Sequence, residues 1–280
     1  MKKVVLLIAV LFISLAGCNR NQEAEKIDRL IDNFLAEKVG NYLSPFLSAD
    51  HMLFSALALY QENGFDFSFE NHISVSAYKD ALRALTVDDF AGWNIYNNAF
   101  RFFTIARALG ADTAFFTDFM LASDFDNLPE NSVPLLFMAT KDQDLLEIIY
   151  SYQPTDTDTA AFHLMALSYD KENVLYQTKV DELMTFMMEN LGYGGIESWG
   201  TINSCSTAMF VLALMANGIN PSSIEYQGRS LIDFLLDYYV GDGFSFEIGG
   251  EVDLMFSTPQ VFTALIVYRI FHKSGAVSLF

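Results

Sequence analysis

Apolar residues recur at three- and four-residue spacing along most of this chain, and the stretches that carry them come in pairs. The clearest pair runs from Tyr176 to Gly218. Val180, Leu183, Met184, Met187, Met188 and Leu191 fall on one face of a helix, since residues three and four apart lie above one another on a helical surface. A glycine-rich loop follows from Gly192 to Gly200. Ser206-Thr207-Ala208 then opens a second helix through Phe210, Val211, Leu212 and Leu214, and Gly218 stops it. The next pair repeats the plan. Ser222–Tyr239 reads as the first helix, Gly241-Asp242-Gly243-Phe244 as the loop, and Ser257-Thr258-Pro259 as the start of the second, with proline tolerated in a first turn.

The same second-helix start is legible upstream at Asp158-Thr159-Ala160, Ser132-Val133-Pro134, Asn98-Ala99 and Asp50-His51. All six starts are Ser, Asp or Asn, whose side chains satisfy the free N–H groups of a first turn. Their spacings are 48, 34, 26, 48 and 51 residues. Partner helices are expected over Glu25–Glu37, Val75–Leu85, Ala114–Ala122 and Gln143–Tyr150. Two helices per repeat, with a period near 48 residues and the third and fourth copies shortened, describe a repeat architecture. The final helix stays apolar to about Phe271, where an open stack needs a polar cap. The expected fold is therefore all-α, an α/α toroid of about six helix hairpins over residues 27–280.

The first residues follow a different pattern. Lys2 and Lys3 precede ten apolar residues, Val4–Ile13, and then Leu15-Ala16-Gly17-Cys18. A basic start, a short apolar run and small residues make an export signal, and the run is too short for the roughly 20 residues a spanning helix needs. Leu15-Ala16-Gly17-Cys18 resembles the lipobox of bacterial lipoproteins. The resemblance implies removal of signal peptide 1–17, lipid on the Cys18 sulfur, a tether over 18–26, and a place on the extracytoplasmic face of the cell membrane. The expected partner is thus the membrane, through Cys18.

Composition narrows the rest. The chain has 280 residues, 52% hydrophobic and 18% charged, which suits a packed core. Losing Lys2 and Lys3 leaves 14 basic against 35 acidic residues, a net charge of −21. Such a body repels nucleic acid. With Cys18 acylated, Cys205 has no intramolecular thiol to pair with.

Ser206-Thr207-Ala208 with Leu212-Ala213-Leu214, the preceding Gly-Tyr-Gly loop, and Asp242-Gly243-Phe244 with Ser257-Thr258-Pro259-Gln260 resemble the repeats of the terpenoid cyclase/protein prenyltransferase superfamily. The resemblance covers about Asp156 to Phe271. It implies an inner ring of helices inside an outer ring, with six inner N-termini around one end of a cavity. Converging N–H groups there suit a polar or anionic ligand group.

Cyclases of this superfamily protonate an alkene with an aspartic acid in an Asp-x-Asp-Asp-Thr-Ala motif. Here Asp158-Thr159-Ala160 keeps its end, but Thr157 stands where the proton donor belongs and Thr155 where the first aspartate belongs. Asp156 and Asp158 remain the candidate acids, with Asp158 also read as a helix cap. The family's zinc site is incomplete, since Asn203 replaces the aspartate expected beside Cys205. No metal or cofactor is expected. A glycan-cleaving enzyme would draw two carboxylates from Asp88, Asp89, Asp156, Glu197, Asp242 and Asp253. Trp93, Tyr96, Tyr193 and Trp199 are candidates to stack on a ligand, and His163 is expected to project inward. A corrinoid carrier would need a second, smaller domain, for which residues 27–280 leave no room. The reading preferred from sequence is a non-catalytic module binding a small hydrophobic, glycan or protein ligand, with the enzyme as its alternative.

Overall fold

The computed structural model describes residues 23–44, 46, 50–92, 94–275 and 277–280, with only the backbone of Asp126. Within them the chain is all-α apart from a few two- to four-residue strands. Helix α1 covers residues 23–37. It is followed by α2 (Val39–Leu43), α3 (His51–Glu62), α4 (Val75–Arg83), α5 (Ile95–Ala108), α6 (Ala114–Leu121), α7 (Val133–Thr140) and α8 (Asp144–Ser151). Then come α9 (Thr157–Leu167), α10 (Tyr176–Glu189), α11 (Ser204–Ala216), α12 (Leu231–Asp237) and α13 (Ser257–Ser274). Residues 23–26, expected in the tether, already belong to α1.

The helices fall into two kinds. α3, α5, α7, α9, α11 and α13 are buried around most of their circumference, as Phe102–Ala106 in α5, Val133–Met138 in α7 and Ser206–Ala216 in α11 illustrate. A helix apolar on all sides needs protein on all sides. α4, α6, α8 and α10 bury one face only, such as Val180, Leu183 and Met187 on α10. The two kinds alternate along the chain, so each one-faced helix covers an enclosed neighbour.

The enclosed helices touch in sequence order: α3 packs on α5, α5 on α7, α7 on α9, α9 on α11 and α11 on α13. α13 then packs against α3, so the chain of contacts returns to its start. Arg269 on α13 fastens this last contact. It pairs with Asp28 at 3.0 Å and Asp32 at 2.6 Å on α1, and donates to Tyr60 on α3 at 2.9 Å. Phe34 of α1 lies flat on Phe262 of α13, ring centres 3.8 Å apart. Asn217 at the end of α11 donates to the carbonyls of Leu164 and Ala213 and accepts from Tyr176, joining α9, α10 and α11.

Two local expectations are corrected. Leu191 leaves the helix and begins a three-stranded antiparallel meander: Leu191–Gly192, Gly195–Ser198 and Thr201–Ile202. Ser222–Tyr239 is not one helix. Gln227 and Gly228 take positive φ and turn a two-stranded hairpin, Glu225–Tyr226 with Arg229–Ser230, and helix begins only where Ser230 and Asp233 form a capping box.

The same close approach recurs at the fifth and sixth helix pairs. The Ile196 N–H donates to Thr207 Oγ1 and the Phe244 N–H to Thr258 Oγ1, both at 2.9 Å. Each acceptor comes so near because a glycine, Gly195 or Gly243, precedes the donor. A Cβ there would lie 2.1 Å from Thr207 Oγ1 or 2.4 Å from Thr258 Oγ1.

Candidate functional site

The first turns of α3, α9, α11 and α13 enclose a cavity of about 370 Å³. Asp50, Asp158, Asp253, His51, Cys205 and Trp199 line it, with Phe162 and Met209 one turn further along α9 and α11. Four helix starts share this cavity rather than the expected six. The starts of α5 and α7 bond to each other instead: Asn94 donates to Ser132 Oγ at 2.8 Å, and Ser132 donates to Asn97 at 3.0 Å.

Caps decide which side chains face the cavity. Asp156, extended at φ −143°, accepts from the Thr159 N–H at 2.8 Å and caps α9. Asp158 therefore lies inside the first turn and is not the cap. Likewise Asn203 caps α11 and Asn94 caps α5, not Ser206 or Asn98. A cap residue must leave helical φ and ψ, and the true caps stand a few residues before the sequence starts. Asp253 accepts from the N–H groups of Met255, Phe256 and Ser257 and from Ser257 Oγ, at 2.8–3.2 Å. Asp50 takes the Leu53 N–H at 2.9 Å.

These carboxylates occupy the N–H groups that were expected to attract an anion. The cavity wall is acidic, so it suits hydrogen-bond donors or cations.

Trp199 is the most prominent group on the rim, 84% exposed. Glu197 pairs with Ile202 and Ser198 with Thr201, leaving Trp199-Gly200 as a two-residue turn. Both have positive φ, 57° and 83°, which the right-handed twist of a hairpin favours but a tryptophan rarely adopts. Its indole N–H reaches Asp158 Oδ2 at 3.2 Å, and Ser198 Oγ reaches the same oxygen at 3.4 Å. Asp158 Oδ1 is buried without a partner. The held indole keeps a broad apolar face in solvent. Phe246, Ile248, Leu254, Met255 and Phe256 add exposed apolar surface from the α12–α13 loop.

Burial governs the protonation of the wall. It raises Asp50 above the ordinary aspartate range, against the Leu53 and Met52 N–H groups and the positive charge of Arg101. Burial, then Arg101, pushes His51 down to about 3, so its imidazole is neutral. Both residues keep some accessible surface where they border the cavity and are surrounded by protein elsewhere. Burial raises the Cys205 thiol to about 11, opposed by Ser257, so the thiolate is scarce at neutral pH. For Asp253 burial acts upward, but the hydrogen bonds from Ser257, Phe256 and Met255 prevail and hold it below the usual range.

The remaining candidates lie apart from the cavity. Asp156 is spent on its cap. Glu197 is exposed, and its carbonyl accepts from Thr157. Tyr193 packs edge-on against Phe234 and accepts from Arg229. Tyr96 sits in the first turn of α5, not in a loop, beside Phe119. Asp89 bonds Thr86, Asp242 pairs with Lys38 at 3.1 Å, and Asp88 is exposed. His163 does not project into this cavity. It stacks on Tyr152 at the end of α8, just as Phe262 at the matching place in α13 stacks on α1. That helix face meets the covering helices because a helix enclosed on both sides has apolar residues facing each way. Cys18 and Trp93 lie outside the described residues.

Asp50, His51 and Cys205 were overlooked as a shared wall. Their common signal is position, each at or within two residues of an enclosed helix's cap. Among the described residues no group of three His, Cys, Asp or Glu is placed to hold a metal ion, and no helix is long and apolar enough to cross a membrane. No family model, curated protein or solved structure matches this chain.

Proposed function

We propose that this chain is an extracytoplasmic lipoprotein, anchored through Cys18, whose α/α toroid binds a donor-rich ligand at the mouth of its helix ring. The toroid reading is supported by the closed order of contacts from α3 through α13 and back to α3. The binding reading rests on one observation, an acidic cavity beneath an exposed indole held by Asp158. Carboxylates accept from hydroxyl or amine groups, while the free indole face stacks on a flat apolar surface or attracts a cation. An amino sugar or short amino-sugar oligomer combines both features.

The alternative is a cyclase-like or glycan-cleaving enzyme with a loop aspartate as general acid. It needs a carboxyl ready to give up a proton; Asp50, raised by burial, comes nearest to that but is engaged in capping α3. Asp156 instead accepts from Thr159, and Asp158 accepts from Trp199 and Ser198, which favours binding.

The test uses a Trp93→Phe background, so that fluorescence reports Trp199 alone. A glucosamine tetramer should quench it saturably, and Asp158→Asn should weaken binding at least tenfold. Absence of a saturable response, or an unchanged affinity in Asp158→Asn, overturns the site.

A further inference from the structure

A second pocket, of about 490 Å³, opens between α7, α8 and α9 on the covering side of the fold. It is separate from the acidic cavity and shares no lining residue with it. Leu128, Val133 and Ile148 form an apolar side, Glu130, Ser151 and Gln153 a polar one, and Thr155 lies exposed on its rim.

His163 also lines this pocket, although the residue is only 1% exposed. Neither ring nitrogen has a hydrogen-bond partner of ordinary geometry. The Glu130 backbone lies close enough to oppose the effect of burial on the ring, which nevertheless prevails. The imidazole is also fixed in place, lying parallel to Tyr152 with ring centres 3.8 Å apart. Tyr152 is itself held, its carbonyl accepting from the Lys179 ammonium, which pairs with Glu182 at 2.9 Å. A buried polar group left unpaired costs about 1–3 kcal/mol, and such groups are rare in folded proteins.

Burial holds this imidazole neutral, lowering it to about 3, with Lys179 adding to the effect and the Glu130 backbone opposing it. A neutral imidazole offers one acceptor and one donor nitrogen, a match for a hydroxyl, which itself both donates and accepts. We infer that this pocket is a binding site for a small, uncharged, mainly apolar molecule whose hydroxyl group bonds to His163. The apolar part lies against Leu128, Val133 and Ile148. The site works independently of the acidic cavity and of the proposed anchor.

Phenol and toluene differ by a hydroxyl against a methyl and serve as probes of the intact protein. With ¹⁵N-labelled histidine, phenol should shift a His163 ring nitrogen saturably and leave those of His51, His72 and His272 in place. Toluene should bind at least tenfold more weakly. His163→Phe should abolish the preference for phenol. Thr155→Trp, a change at an exposed residue that leaves the core intact, should block both probes. Equal binding of the two probes to the native protein overturns the hydrogen bond to His163. Binding of neither overturns the pocket as a site. An unchanged phenol response in Thr155→Trp places the binding elsewhere and overturns the assignment.

Discussion

Alanine at Gly195 should be among the most damaging single-methyl additions in this protein, and two other glycines separate the reasons. Gly200 has φ of 83° and open space around it, so Gly200→Ala carries only the backbone term. That term is about 1–2 kcal/mol for a side chain in the left-handed region. Gly243 has ordinary φ, but its added Cβ would meet Thr258 Oγ1 at 2.4 Å. Gly243→Ala therefore carries overpacking, about 1–3 kcal/mol, and loss of the buried Phe244 N–H bond, about 1–3 kcal/mol. Gly195 has both problems, with φ of 127° and Thr207 Oγ1 at 2.1 Å from the added carbon. Gly195→Ala should lose about 3–8 kcal/mol, the largest of the three because it alone carries all three terms. At about 2–4 °C per kcal/mol for a domain of this size, Tm should fall by roughly 6–30 °C. Urea unfolding followed by circular dichroism, with thermal melts beside it, gives the comparison. If Gly195→Ala and Gly200→Ala agree within about 1 kcal/mol, the threonine contact is not what requires glycine, and the repeated-device reading fails.

Three further outcomes are expected. Asp253→Asn should destabilise the fold by about 1–2 kcal/mol through loss of its capping bonds, measured by urea unfolding at pH 7. Asp253 sits below its unfolded pKa, so its contribution is present above about pH 4 and lost as pH falls through the lower folded value; the variant should lack that acid limb. His163 is lowered to about 3 in the fold, against about 6.5 unfolded. Its burial therefore carries no charge penalty above that unfolded value and destabilises the fold increasingly as the pH drops toward 3, by about 2 kcal/mol at pH 5. His163→Leu should flatten the loss measured between pH 7 and pH 5 by about that amount, with His51 and His272, both also lowered by burial, continuing to contribute. Finally, Cys18→Ala should release the protein from membranes or stall it at precursor size, as cell fractionation and immunoblotting would reveal. A membrane-bound mutant of mature size would sink the anchor.

The helix pairs were legible because apolar periodicity survives whatever loops intervene. Val75–Leu85, Ala114–Ala122 and Gln143–Tyr150 each lie within two residues of a helix in the structure. Ser222–Tyr239 misled because apolar spacing alone does not report the Gln227-Gly228 turn that interrupts it. Helix starts were displaced for a similar reason. The runs after Ser206 and Asp158 signal helix interiors, whereas Asn203 and Asp156 reveal themselves as caps only through backbone angles. That small displacement changed the chemistry, moving Asp158 from a cap to the partner of Trp199. The direction of His163 was illegible, because a helix that is apolar all round gives no sequence signal for which side faces the centre. The acidic cavity draws on Asp50, Asp158, Cys205 and Asp253, and only three-dimensional closure brings residues so distant in the chain to one wall.

With the anchor proposed at Cys18, the packing of α1 would also decide which way the molecule faces. Glu23 meets Tyr268, well along α13 from the cavity, while Lys38, just past the other end of α1, borders a neighbouring pocket that shares Asp50 with the cavity wall. The 15 residues of α1 span about 22 Å at about 1.5 Å per residue. Four residues lie between Cys18 and Glu23, so five residue steps give a reach of about 17 Å at full extension. A lipid on Cys18 would hold the far end of the body against the bilayer and turn the acidic opening outward. The protein would then stand on its membrane like a cup on a table, sampling the surroundings of the cell and not the lipids beneath it.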